Sequence, residues 1–544
     1  MEDLTWYKDA IFYEVYVRAF CDSNGDGQGD LIGLTSKLDY LQDLGVTCLW
    51  LLPIYPSPMK DDGYDIADFY NVHPTLGSVA DFKRLVEAVH ARGMRMIIDL
   101  VMNHTSDQHP WFQAARKDRN SPYRDYYVWS DTDQKFTEAR IIFLDTEASN
   151  WTYDEVAGQY YWHRFYSTQP DLNYDNPAVQ QEMVNVMKFW LDLGIDGFRA
   201  DAVPYIFEQE DTNCENLPET HVFLKQVRQF LKENYPDRVL LAEANQWPED
   251  VLPYFGNGSD EFQMGFHFPL MPRMFMALRS GDVSSLKWIL GRTPALPGDT
   301  QWGIFLRNHD ELTLEMVTEE ERQWMWQEYA PEARMRLNLG IRRRLAPLLD
   351  GNRKKIELAY SLLFTMPGSP INYYGDEIGM GDNIWLFDRN GLRTPMQWDS
   401  GENGGFSGAE PSRLYSPLID DPEYGYQKVN VASEQADPDS LLNQIRRMIG
   451  VRRQHKAFSR GSFEWAETGL EGPNEPVADY IRVYQEDRIL VLQNLSAEEK
   501  TIKMKLPDRN SSRLTDILSG ELVATNSETL ELTLAAYEFR WLAI

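Results

Sequence analysis

No stretch of this sequence stays apolar for the roughly 20 residues that a membrane-spanning helix needs. Cysteine is scarce as well: Cys21, Cys48 and Cys214 are the only three in 544 residues, and they form no CxxC pair. That argues against a disulfide framework and a thiolate zinc site, and three separate thiols suit a reducing cytoplasm. Positive charge is also short. Lys and Arg total 53 against 84 Asp and Glu, a formal charge of −31, which argues against nucleic acid as a partner. The opening residues, MEDLTWYKDAIFYEVYVRAF, lack the basic-then-apolar layout of an export signal. No Gly-rich loop carries the Lys and Ser/Thr of a phosphate-binding motif; GENGGF, residues 401–406, has neither.

Aromatic residues, by contrast, make up 13% of the chain, with 16 Trp and 28 Tyr. Rings with polar edges suit a ligand that offers C–H faces and hydroxyls, as a sugar does. Short apolar runs alternate with amphipathic stretches through the first two thirds. The strand candidates are AIFYEVYV, VTCLWLLPI, MRMIIDLV, IDGFRADAV, RVLLAEA, FQMGFHF, WGIFLRN and PINYYGDE. Helix candidates such as SVADFKRLVEAVHARG lie between most of them, closed by Gly. Eight such units predict an α/β fold, a (β/α)₈ TIM barrel, over residues 1–103 and 176–457. The spacing breaks once, after the third strand, where residues 104–175 predict an inserted subdomain. From residue 458 to 544 the alternating runs DYIRVYQ, RILVLQNL and EFRWLAI predict a C-terminal antiparallel β domain.

A barrel of this kind does its chemistry at the C-terminal ends of the strands. Asp99, Arg199, Asp201, Glu243, His309 and Asp310 all fall there. Carboxylates gathered at one mouth raise each other's pKa, while a cation lowers its neighbours'. Arg199 lies two residues from Asp201 and so shares its strand face, and it is expected to keep Asp201 charged. Glu243 follows the apolar RVLLA and suits a raised pKa. A charged nucleophile beside a protonated acid is what retaining glycoside cleavage needs.

At these positions the chain resembles the α-amylase family, glycoside hydrolase family 13. DLVMNH, GFRADAV, LLAEAN and FLRNHDE look like its four signature segments, and QPDLNYDNP resembles an additional one. The resemblance implies Asp201 as nucleophile, Glu243 as general acid/base and Asp310 as the carboxylate that braces the sugar. It further implies substrate contacts from Asp61, Tyr64, His104, Phe165, Arg199, His309 and Arg393. The inserted FLDTEASNWTYDEVAGQYYWHRFYSTQPDLNYDNP and the loop NCENLPETH narrow it to a branch that interconverts maltose and trehalose by intramolecular glucosyl transfer. Minor hydrolysis to glucose accompanies that reaction, and no organic cofactor is required. In such an isomerase the released glucose must be kept from leaving, and Arg140 with Glu315 is the candidate gating pair. The alternatives are an α-glucosidase or oligo-1,6-glucosidase, whose acids are the same, and, more remotely, a non-catalytic amylase-like binding protein. A homo-oligomer and a maltokinase stand as candidate partners.

DSNGDGQGD, residues 22–30, sets oxygen side chains on a Gly-rich turn and suits Ca²⁺ or Mg²⁺ through Asp22, Asn24, Asp26, Gln28 and Asp30. The resemblance implies a second, calcium site from Asn103, Asp171, Glu208 and the backbone at Tyr205 and Ile206. Both would be structural.

Overall fold

The computed structural model describes residues 4–466, 475–506, 513–525 and 529–544. Residues 1–3, 467–474, 507–512 and 526–528, which belong to the expected barrel and C-terminal ranges, lie outside the described residues. All eight strand candidates are strands of one closed parallel barrel: β1 Phe12–Val15, β2 Cys48–Leu51, β3 Arg95–Val101, β4 Gly197–Asp201, β5 Val239–Ala242, β6 Met264–Phe266, β7 Gln301–Phe305 and β8 Ser369–Tyr373. Each pairs with its neighbours in sequence, and β8 closes on β1 through Phe12 opposite Ile371. Both faces of a barrel strand are covered, which is why these strands read as apolar runs rather than alternating ones.

Register brings the charged strand ends together. Asp99 on β3 lies opposite Arg199 on β4, and Arg199 lies opposite Leu241 on β5. The start of β4 depends on Gly197, whose φ is +152°. A Cβ there would sit 2.1 Å from the Val239 carbonyl oxygen, so any side chain would push β4 away from β5.

Between β3 and β4 the chain makes the helix Pro110–Lys117 and a three-stranded antiparallel sheet, Trp129–Ser130, Gln159–Trp162 and Trp151–Asp154. Trp151 and Trp162 bury against Ala139 and Cys214 in a small core of their own. A second excursion, between β7 and β8, carries the sheet Leu312–Thr313, Gly340–Ile341 and Arg336–Leu337. A long segment without regular strands then follows β8 and brings Arg389 and Arg393 back over the mouth.

The C-terminal part is antiparallel, with a six-stranded sheet and a separate pair, Lys500–Lys505 with Thr529–Leu534. Its strand Asp487–Asn494 is apolar on both faces for a reason. Leu490 and Leu492 face the domain's own core, while Ile489 and Val491 join the core shared with the barrel. Among the described residues no helix is long and apolar enough to cross a membrane.

Candidate active site

Strand ends and loops enclose a cavity with about 840 Å³ of free space, its open mouth included. That is the size range of sites for small organic ligands. Asp201, Glu243 and Asp310 line it together with Asp61, Tyr64, His104, Phe165 and His309. Arg199 is central but does not line the cavity. It lies behind the acids, fully buried, with Nη1 at 2.7 Å from Asp99 and 2.5 Å from Asp201, and Nη2 at 2.6 Å from Glu243. Arg393 is likewise behind the wall, donating to the His309 carbonyl at 3.0 Å, to Asp62 at 2.7 Å and to Asp310 at 3.0 Å. Both arginines, expected at the sugar, reach the carboxylates of the site from behind.

One guanidinium shared among three buried carboxylates cannot fully satisfy any of them. Burial raises Asp201, Arg199 opposes the rise, and Asp99 and Asp310 add to it. Burial and the neighbouring Asp99 and Asp310 thus work against the charge on Asp201 that Arg199 supports. Burial also pushes Glu243 up, to about 7, against the pull of Arg199. Asp99 is raised to about 6 by burial, and Trp50 and Tyr64 both donate to its Oδ2. Asp310 behaves in the opposite sense. Burial opposes its charge, but His309, Arg389 and Arg393 outweigh burial and hold it well below the usual carboxylate range.

Backbone strain marks the same place. Ala202, next to Asp201, has φ +52° and ψ +36°, a left-handed conformation that a non-glycine residue adopts at a cost of about 1 kcal/mol or more. It turns the Ala202 amide toward Glu243, donating to Oε2 at 3.1 Å.

The remaining cavity residues are held by loops. Burial raises Asp61 to about 8; Gln169 donates to it at 2.8 Å and Arg389 lies 3.4 Å away. Burial lowers His104 to about 4, its Nε2 lies 3.2 Å from the Tyr64 carbonyl, and its ring packs beside Phe165. Tyr64 stacks on His309 at 5.3 Å with the rings 9° apart.

Arg140 and Glu315 are in contact, Nη1 to Oε2 at 2.8 Å, which joins the insertion to the loop after β7. Arg140 also holds Glu215 at 2.8 Å and the Tyr205 hydroxyl at 3.2 Å, and the buried Arg164 reaches the same Glu215 at 3.1 Å. Glu215, Arg164, Arg389 and Glu14 were missed in the sequence. Glu215 lies within NCENLPETH, but only contacts between loops distant in sequence give Glu215 and Arg389 a task. A visible signal for Glu14 was a lone acid in the apolar run AIFYEVYV.

The two metal expectations fare differently. Asn103 Oδ1, Asp171 Oδ2 and Glu208 Oε1 are buried oxygens without a hydrogen-bond partner. Burial raises Asp171 to about 8, and burial together with Asp171 raises Glu208 well above its ordinary value. Two buried carboxylates and a buried amide, each with one oxygen lacking a partner, fit a hard cation. Tyr205 sends its side chain to the cavity, and both it and Ile206 belong to the turn that follows β4. In the Asp22 loop the oxygens already have partners. Asp22 accepts from the Asn24, Gly25 and Gly27 amides and from Ser407, Asn24 from the Asp26 amide, and Asp26 from the Gln28 amide. Gln28 accepts from Arg18, and Asp30 caps the helix Leu31–Ser36. Among the described residues no three His, Cys, Asp or Glu side chains form a metal-binding group.

A profile described as the catalytic domain of alpha amylase matches residues 14–461. The chain belongs to the α-amylase family. The profile of a maltogenic amylase C-terminal domain matches residues 469–541. The chain is 59% identical to a trehalose synthase/amylase from Mycobacterium tuberculosis H37Rv, over 93% of this chain and 84% of that one. It is 31% identical to an oligo-1,6-glucosidase of Parageobacillus thermoglucosidasius, over 98% of both chains. Among solved structures it resembles the trehalulose synthase MutB of Pseudomonas mesoacidophila, with a TM-score of 0.79, 28% identity and 99% of each chain covered.

Proposed function

We propose that this chain interconverts maltose and trehalose by intramolecular glucosyl transfer, with minor hydrolysis to glucose. The observation that carries the reading is a carboxylate pair, Asp201 and Glu243, in one cavity, with Glu243 raised to about 7 by burial so that it can hold a proton near neutrality. The likeness to a trehalose synthase at 59% identity, against 31% to an oligo-1,6-glucosidase, favours transfer over hydrolysis.

Asp201 Oδ attacks C1 of the non-reducing glucose while Glu243 gives its proton to the departing O4, breaking the C1–O4 bond. The product is a β-linked glucosyl ester of Asp201 and one free glucose. That glucose turns over and presents its anomeric hydroxyl. Glu243 takes the hydroxyl proton, the new C1–O bond forms, and the ester bond to Asp201 breaks. Two inversions at C1 leave the α configuration intact. Asp310, kept anionic by His309, Arg389 and Arg393, supports positive charge on the ring in both transition states.

Partition against water decides the product. An enclosed acceptor has an advantage of proximity that bulk water lacks. The Arg140 contacts with Glu315 and Glu215 tie the insertion over the mouth, and we assign them the role of retaining glucose.

Asn103, Asp171 and Glu208 would hold a calcium ion that neutralises their buried charge and fixes the insertion to the barrel. A divalent cation at the Asp22 loop would be held by oxygens that the loop's own amides already orient. The three buried free thiols favour a reducing compartment, the cytoplasm.

The test is to incubate the enzyme with maltose, and separately with trehalose, and quantify all three sugars, with Asp201→Ala as the blank. Trehalose exceeding glucose from maltose, and maltose formed from trehalose, are expected. Glucose alone would make this a hydrolase.

A further inference from the structure

Glu14 lies inside the barrel on β1, completely buried, and the mechanism above gives it no task. Its Oε1 accepts from the His309 backbone amide at 3.1 Å and lies 2.5 Å from His309 Nδ1; its Oε2 has no hydrogen-bond partner. On the other edge of the same imidazole, Nε2 lies 2.8 Å from the Tyr64 hydroxyl and 3.1 Å from Asp310 Oδ2. The Tyr64 hydroxyl also lies 3.1 Å from Asp99 Oδ2, and when it gives its single proton to that carboxylate it accepts from His309.

Carboxylates stand on both edges of the imidazole: Nδ1 faces Glu14, and Nε2 faces Asp310 beside the Tyr64 hydroxyl, an arrangement that a hydrogen on each nitrogen satisfies. We infer that Glu14 is a positioning residue that holds His309 as an imidazolium, and through it holds Asp310 as an oriented anion at the sugar. The inference rests on the proposed role of Asp310 as the brace of the transition state.

The groups around His309 are consistent with this. Glu14 reaches it from β1, Tyr64 from the loop after β2 with Asp99 of β3 behind it, and Asp310 from its own loop. The cations nearby are Arg393, which donates to the His309 carbonyl, Arg389 on Asp310, and Arg199 on Asp99. Two carboxylates touch the ring and no guanidinium does. Burial works against a charged ring, yet Asp310 and Glu14 outweigh it and lift His309 to about 9. Trp50, edge-on at 5.9 Å, helps keep water away.

Glu14→Gln tests the link, because the amide oxygen can still accept from Nδ1 but carries no charge. Removing an adjacent opposite charge shifts a partner by about 1 to 3 pH units. Nitrogen-15 spectra of histidine-labelled resting enzyme, with the His309 signal assigned by its loss in His309→Gln, should show a doubly protonated ring at pH 8 in the parent. In Glu14→Gln the titration should fall by about one unit or more. In kcat/KM for maltose, the loss of two protons should steepen the decline above about 9 in the parent, and the steep branch should start at lower pH in the variant.

A residue that only fills space would lower activity equally at every pH and leave the His309 titration in place. That result, or a singly protonated His309 in the parent at pH 8, would overturn the inference. Should Glu14→Gln not fold, Glu14→Met is the second variant, with the same fall in the His309 titration expected. The resting-state titration also separates this inference from the reading beneath it: an active Asp310→Asn enzyme would remove the brace while leaving the Glu14 to His309 link as measured.

Discussion

At the barrel mouth Arg199 faces three carboxylates; where the barrel meets the C-terminal sheet, Arg452 and Arg482 face carbonyl oxygens. Arg452 donates to the Phe364 carbonyl and, at 2.7 Å, to that of Gly368. Arg482 donates to the carbonyls of Thr365, Phe458, Gly461 and Ser462. All three guanidiniums are buried, yet the consequences are opposite. Burial lowers Arg452 to about 9, helped by the neighbouring Arg482, and lowers Arg482 to about 10. Arg199 is raised well above its ordinary value because Asp99, Glu243 and Asp201 outweigh burial. A buried arginine among carbonyls acts as a clasp at a helix C-terminus, here that of Arg353–Thr365. Among acids it is an electrostatic control, because its charge sets which of them can ionise.

The largest effect separates the two regions directly. Arg199→Met leaves three buried carboxylates without a cation, so Asp201 should take up a proton and lose its nucleophilicity. We expect kcat/KM for maltose to fall by on the order of 10³ or more, since an activated nucleophile and its partners act as a unit. Steady-state assays and trapping of the glucosyl-enzyme would check it. Loss confined to KM would show that Arg199 binds sugar rather than governing the acids.

Arg482→Met should do the reverse. It leaves four carbonyls near the seam without their donor and should cost on the order of 3 kcal/mol of stability. Calorimetry should find a lower melting temperature or an early separate transition of the C-terminal sheet. The trehalose to glucose ratio at 25 °C should not move. A change in that ratio would mean that the seam communicates with the mouth and that the contrast between clasp and control is too sharp.

A tenfold effect per pH unit follows from Glu243. Its raised carboxyl must be protonated to act as the acid, and that form is lost as pH rises through about 7. The kcat/KM for maltose should therefore decline about tenfold per unit above that point, because it reports the free enzyme. Asp310, held well below the usual range, stays ionised throughout and contributes no limb. An α-glucoside of an acidic nitrophenol, whose leaving group needs no proton, should not show the decline.

Much of this contrast is legible in the sequence, and the part that is not has a physical reason. Parallel strands buried on both faces leave continuous apolar runs, and polar residues at their ends stand out, so Asp99, Arg199, Asp201, Glu243 and Asp310 could be placed before any coordinates. Pairing across strands is not written in any local period. The sharing of Arg199 by three acids depends on the register of β3, β4 and β5, and its recession behind them on side-chain depth. Arg389 and Glu215 sit in loops whose partners are 78 and 75 residues away, at Glu311 and Arg140. Arg482 reads in sequence as an ordinary polar position of an alternating strand, and only docking against the barrel buries it.

The smallest expected effect concerns a cation that is neither clasp nor control. Arg140 is partly exposed and joins the insertion to Glu315 and Glu215, so each pair is worth about 1 kcal/mol or less. Truncating it to Ala should leave cleavage of maltose nearly intact, since its ion pairs are with Glu315 and Glu215 and not with Asp201, Glu243 or Asp310. What should change is the competition after cleavage: a mouth that opens more often admits water and releases glucose, and a change of 1 kcal/mol in opening alters that partition about fivefold. The glucose to trehalose ratio should rise by about that factor at an unchanged initial rate, and Glu315→Gln should move it in the same direction by less. An unchanged ratio in both variants would remove the ion pair from the account and leave retention to the aromatic lining at Phe143, Phe165 and Tyr205.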